Sequence, residues 1–201
     1  MQISTELVKE LRDKTGVGIM ACKNALKDSE GNIDKAVEIL RKKGIAKAQK
    51  REGRIASQGQ IQSYVHMGGK IGVLVEVNCE TDFSANTEDF TSFSKNLAMQ
   101  IAATSPIAIS PGKLPPEIVE REKEIYREQA LQAGKPEKVV EKIVEGKLRK
   151  FYSEACLLNQ AYIRDPDITI EDLLNELKAK TGENIIISRF ARFQLGVPEG
   201  K

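Results

Sequence analysis

The chain has 201 residues, 40% of them hydrophobic, which is enough for one large or two small domains with a real core. Its 31 basic and 29 acidic residues leave a net charge of +2, a balance that argues against a dedicated nucleic-acid binder with a basic face. Cys22, Cys79 and Cys156 lie far apart with no CxxC pair, so neither a zinc knuckle nor a disulfide framework is indicated, and small buried thiols in a reducing compartment are expected.

The start, MQISTELVKE, lacks the apolar core of a signal peptide, and no apolar run approaches the roughly 20 residues of a membrane span. A soluble, cytoplasmic protein is expected. Ser4 or Thr5 can cap a first helix carrying Leu7, Val8 and Leu11, which ends before Gly16. Ile19, Cys22, Ala25 and Leu26 place a second short helix up to Gly31. Asn32 caps a third, with Ile33, Ala36, Val37 and Leu40, that stops at Gly44. Ile19 and Met20 can be core or can face a partner. Gly16 and Gly18 read as turn glycines, since GVGIMA lacks the third glycine of a dinucleotide fingerprint and no strand precedes it.

Residues 41–54, RKKGIAKAQKREGR, carry seven bases and one acid. They read as a solvated linker helix or as a salt-sensitive foothold on RNA or an acidic partner, without aromatics for base stacking. Ile61, Ser63 and Val65 alternate with Gln60, Gln62, Tyr64 and His66 in a strand that turns at Met67-Gly-Gly-Lys70 into a second. His66, the only histidine, is a turn residue or a partner contact. In the second strand Ile71, Val73, Val75 and Val77 mark one well-buried face. The short polar residues Cys79-Glu-Thr-Asp82 then favour a turn or a helix entry. Phe90, Phe93, Leu97 and Ile101 lie on one face of a helix to about Ala103. Phe83, in the connection, either plugs the core or is presented to a partner; an aromatic near a helix start usually packs inward, which favours the plug.

Four prolines between residues 105 and 117 mark an irregular connector. A charged helix from about Glu117 to Ala133, with Val119, Tyr126, Ala130 and Ala133 on one face, reverses at Gly134 and Pro136. The return helix carries the stripe Val140, Val144, Leu148, Phe151 and Ala155. An antiparallel helical hairpin over about 117–155 is therefore expected. A turn at Asp165-Pro-Asp167, a helix from Thr169 with a capping-box Asp172, and a strand from Ile185 to Leu195 with a bulge near Ser188 complete the chain. The expected fold class is α+β. Residues 1–55 form a three-helix module with a basic linker; residues 56–201 form a core with a three-stranded antiparallel sheet flanked by helices and a protruding hairpin. No triad, phosphate cradle, metal cluster or paired-carboxylate motif is apparent, so a binding protein without catalytic residues, cofactor or metal is expected.

The segment VNCETDF at residues 77–83 resembles the motif of bacterial elongation factor Ts, the guanine nucleotide exchange factor for elongation factor Tu. LVKELRDKTGVGIMACKNAL, GKIGVLVEVNCETDF, GKPEKVVEKIVEGKLRKF and RFARFQLG are similar to family signatures in family order. The resemblance implies a ubiquitin-associated type of fold for the N-terminal helices. It implies that Thr81, Asp82, Phe83 and Ser84 approach the magnesium site of the partner GTPase, the aromatic wedging between partner helices. Ser84 and Asn86 stand where the family usually shows valine and a basic residue. Arg12, Ile19, Met20 and Lys23 are implied as further contacts, and His66 is a weaker candidate. Longer family members carry the strand-and-helix core twice. A homodimer is therefore expected to supply the second copy, in a two-plus-two complex with the GTPase, with no membrane and no specific nucleic acid among its partners.

Overall fold

The structure, a computed structural model, describes residues 3–49, 51 and 53–197. The side chains of 45 and 47–49 are not part of that description, so the corresponding portion of the basic run, with residues 50 and 52, lies outside the described residues. The fold is α+β, with eight α-helices and five strands among the described residues. Two compact units interleave along the chain: Met1–Ile61, Glu76–Ser94 and Asp172–Ser188 make one, and Gln62–Val75, Lys95–Glu171 and Arg189–Lys201 the other.

The first unit opens with helices α1 (Thr5–Thr15), α2 (Ile19–Asp28) and α3 (Ile33–Gln49). Ser4 is the N-cap of α1, its hydroxyl accepting the Leu7 N–H at 3.3 Å, a contact worth about 1 kcal/mol. Asn32 does the same for α3 through Lys35 N–H at 2.9 Å. Leu11, Cys22, Ala25, Leu26 and Ala36 form the dry centre of the module. The expectation that α3 stops at Gly44 is wrong, because that glycine serves packing. A Cβ there would sit 3.0 Å from the Cβ of Ala179, so its absence lets α3 run on beside α8 (Ile170–Thr181).

Strands β1 (Gln58–Val65) and β2 (Ile71–Cys79) form a hairpin, and β2 is central between β1 and β5 (Ile186–Gln194). The His66 N–H to Ile71 O and Leu195 N–H to Lys70 O bonds, both 2.9 Å, fit antiparallel pairing. Val73, Val75, Val77 and Cys79 are buried, as their alternation requires. On β1 the polar side turns inward: Gln60, Gln62 and Tyr64 are half-buried while Ile61 and Val65 are exposed. In β5 the alternation slips where Ser188 and Arg189 are both exposed, after which Phe190 and Arg192 turn inward, the signature of a bulge. Phe193 is left exposed on the other side.

In the second unit, α6 (Pro116–Gln132) and α7 (Glu137–Ala155) pair as the expected hairpin around Ala130, Val140, Val144 and Leu148. Ala133, expected on that face, is instead the exposed C-cap residue of α6. Burial and the Glu122 carboxylate push the Tyr126 phenol up to about 12, and Lys147 Nζ lies 5.3 Å over its ring. The proline-rich connector packs Ala108 and Leu114 against Cys156. The expected turn at Asp165-Pro-Asp167 is a correction: Asp165–Thr169 is strand β4, paired with β3 (Ala161–Tyr162), and the chain reverses at Ile163 and Arg164. Helix α5 (Glu88–Thr104) lends this unit Gln100, which is fully buried. Gln100 Nε2 donates to Gln160 Oε1 and Ala161 O, both at 3.1 Å, and its Oε1 accepts the Ile163 N–H at 3.0 Å. Gln160 in turn donates to Glu154 O at 2.7 Å.

Candidate partner-binding site

The apolar alternation of β2 ends at Cys79, where the chain enters a braced turn in the first unit. Thr81 is extended (φ −129°, ψ 152°) and caps α4 (Asp82–Ala85), its hydroxyl accepting the Ser84 N–H at 3.2 Å. The same hydroxyl donates to Glu183 Oε1 at 2.6 Å. Glu183 Oε2 accepts the N–H groups of Glu80 and Thr81, each at 3.1 Å. Glu80 reciprocates, its Oε1 accepting the Asn184 N–H at 2.7 Å and its Oε2 meeting Arg54 Nη1 at 3.3 Å. Asn184 Nδ2 donates to Arg54 O at 2.9 Å, closing the ring. The Asn184 N–H holds the Glu80 carboxyl below the usual range, outweighing the opposing effect of burial with help from Arg54 and Arg51. Burial pushes the Cys79 thiol up, and the Glu183 charge adds to it.

The bracing puts Thr81, Asp82 and Phe83 on the surface. Phe83 is 86% exposed, so the core-plug expectation fails. Leaving a phenylalanine in water forgoes about 1.5–3 kcal/mol of burial, a cost that a binding role would explain. Ser84 differs from its three neighbours: it is 5% exposed, with its Oγ buried and without a hydrogen-bond partner. Asn86 turns back on the turn, Nδ2 donating to Asp82 O at 2.9 Å.

The other candidates divide between the units. Arg12, Ile19, Met20 and Lys23 are all exposed on α1 and α2 of the first unit, Met20 at 67%, which decides the core-or-partner question for Ile19 and Met20 in favour of the surface. Lys23 follows Ile19 by four residues and Met20 by three, so it neighbours both on the helix surface. His66 belongs to the second unit, exposed at the hairpin turn with Tyr64 Oη 3.0 Å from its Nδ1.

Sequence reasoning missed Glu80, Glu183 and Lys180. Lys180 pairs with Glu176 at 3.2 Å and with Asp89 at the start of α5 at 3.6 Å. Its side chain would lie 3.3 Å from a Cβ on Gly16, a left-handed residue (φ +67°) in the α1–α2 loop. Burial opposes its charge, but the two carboxylates outweigh it and raise its pKa. The only local signal was a polar Thr-Gly-Glu-Asn run at 181–184 after a helix end, more than a hundred positions from the turn it braces.

The fold is that of an α+β protein, and it sets an exposed aromatic on a hydrogen-bonded turn in the same unit as a solvent-facing apolar edge of a helical module. The sequence profile described as Elongation factor TS matches residues 6–197. The chain is 60% identical over 194 residues to "Elongation factor Ts" of Desulfosudis oleivorans, covering 96% of this chain and 98% of that protein. It is 57% identical over 196 residues to the protein of that name from Syntrophobacter fumaroxidans, 98% of each chain. With that of Caldanaerobacter subterraneus subsp. tengcongensis it shares 60% identity over 194 residues, 96% of this chain and 97% of the relative. The chain belongs to the elongation factor Ts family of translation elongation factors.

Proposed function

We propose that this chain binds GDP-bound elongation factor Tu and promotes GDP release by disturbing the magnesium and phosphate site, allowing GTP to load. The observation that carries the reading is Phe83, exposed on a turn held by at least five hydrogen bonds from Glu80, Glu183 and Thr81. A factor that prefers the nucleotide-free GTPase must weaken GDP binding by the same ratio, and a thousandfold ratio needs about 4 kcal/mol of differential contact. Magnesium bridges phosphate oxygens to the GTPase, so disturbing its shell removes a large electrostatic contribution. Phe83 acts as the wedge, an interface anchor worth about 2 kcal/mol or more. Thr81 and Asp82 lie beside it; Asp82 either hydrogen bonds a displaced segment of the partner or opposes the phosphate by like charge. Ser84, being buried, supports the turn from within. Arg12, Ile19, Met20 and Lys23 carry additional contact, with His66 as a peripheral one.

A cytoplasmic homodimer completes the reading. In the second unit the outward side of the strands carries Val65, Leu74 and Phe193, with Met67 and Leu195 at the strand ends, all exposed, and a second copy would cover them. A monomer mass by light scattering at micromolar concentration would overturn this. Within the described part of the basic run, Arg41, Lys43 and Arg54 are engaged by Asp172, Asp28 and Glu80, which supports a structural role for those three bases. The deciding experiment tracks release of labelled GDP from elongation factor Tu at fixed magnesium, with wild type and Phe83→Ala. Acceleration that the variant loses at unchanged melting temperature supports the wedge. No acceleration by wild type removes the exchange role.

A further inference from the structure

We propose that Glu183 is the positioning residue of the Thr81–Phe83 turn, acting on exchange without touching the partner, an inference that rests on the proposed exchange function. Helix α4 has four residues, a single turn. One turn cannot hold itself, because nucleating a helix costs more than its first hydrogen bond returns. Its direction must come from outside. Glu183 takes three donors from two successive residues immediately before α4, the N–H groups of Glu80 and Thr81 and the Thr81 hydroxyl.

The hydroxyl matters most. Thr81 Oγ1 has one proton, given to Glu183, and that donation orients its lone pairs so that one accepts the Ser84 N–H. The carboxylate therefore sets the rotamer of the cap, and the cap sets where Asp82 and Phe83 point. Glu183 is itself half-buried, with both oxygens engaged by the turn. Glu80 anchors the opposite side by accepting the N–H of Asn184, the residue after Glu183. The two segments thus exchange carboxylates, and the turn is organised before any partner arrives, which spares the complex the cost of ordering it.

The test measures elongation factor Tu-bound GDP release against partner concentration for the full-length wild type, Glu183→Ala, Glu183→Gln, Phe83→Ala and the Phe83→Ala/Glu183→Ala double variant. Glu183→Ala is expected to lower the maximal rate about tenfold while changing KM for the GDP-bound partner less than about threefold. Glu183→Gln, whose amide oxygen still accepts backbone N–H groups, should recover part of that loss. The double variant should be no slower than Phe83→Ala alone within about twofold, since Glu183 acts through Phe83. A folded Glu183→Ala protein with the wild-type maximal rate, or losses that simply multiply, would overturn the proposal. Should Glu183→Ala not fold, Glu183→Gln carries the same cycle with Phe83→Ala. If the wild type itself fails to speed GDP release, the exchange reading falls. Hydrogen exchange then judges the positioning claim: faster exchange of the Glu80 and Thr81 amides in the variant, with β2 still protected, upholds it, and unchanged protection sinks it.

Discussion

The amide lattice around Gln100 and Gln160 and the carboxylate clasp around Glu80 and Glu183 both pin loop backbone across long stretches of sequence, but only the first is dry. Gln100 and Gln160 are buried and neutral, and each places donors and acceptors on backbone or side-chain partners, so no charge is desolvated. The clasp is charged and half-exposed, and it borders a phenylalanine that stands in water. The first arrangement holds a core together. The second holds the surface turn that carries Phe83.

The strongest way to break the comparison is Gln100→Leu. It leaves the Ile163 N–H and the Ala161 carbonyl without their buried partner and should cost about 2–4 kcal/mol in urea unfolding. A cost below about 1 kcal/mol would mean that the lattice does not stabilise the core. Phe83→Ala should do the reverse. Its stability should stay within about 0.5 kcal/mol of wild type, while GDP release slows about thirtyfold, the equivalent of an anchor worth about 2 kcal/mol.

Acid should separate the two lattices as well. The Glu80 carboxyl is held below its ordinary value chiefly by the Asn184 N–H. A depressed carboxyl contributes stability that is fully present above the unfolded value, about 4.3, and is lost as pH falls through the folded one. The destabilisation caused by Glu80→Gln should therefore shrink on going from pH 7 toward pH 3, whereas that of Gln100→Leu, with no titrating group, should not share this acid limb. Parallel urea midpoints across that range would check it. An equal Glu80→Gln penalty at both ends would mean that the clasp works as hydrogen bonding alone.

Periodicity carried the regular elements well. The buried side of β2, the Phe90–Ile101 face of α5 and the Val140–Leu148 stripe of α7 are all legible, because each sets apolar residues at the spacing of its own element. The features that escaped were decided by distant partners. Gly44 has the look of a stop, but it exists for Ala179 on another helix. Asp165-Pro-Asp167 has turn chemistry and nonetheless pairs as β4, a strand in a two-stranded sheet where proline is tolerated at an edge. β1 keeps its polar side inward, where Gln60 reaches the Ala85 carbonyl at 2.6 Å, and the alternation alone did not say which side that would be. Phe83 points outward because of a cap and a carboxylate a hundred residues away, which no local pattern encodes.

The smallest effect sharpens the contrast most. Ser84 sits inside the turn with a buried, partnerless hydroxyl, a defect that Gln100 and Gln160 do not share. Ser84→Ala removes that oxygen and substitutes the best helix former, so it should stabilise the protein by about 0.5–1.5 kcal/mol despite the small void. The exchange rate should not change, because the side chain faces inward. A slower rate in a more stable variant would instead mean that the hydroxyl turns out toward the partner during exchange, and α4 would then be a moving part rather than a fixed support for Phe83.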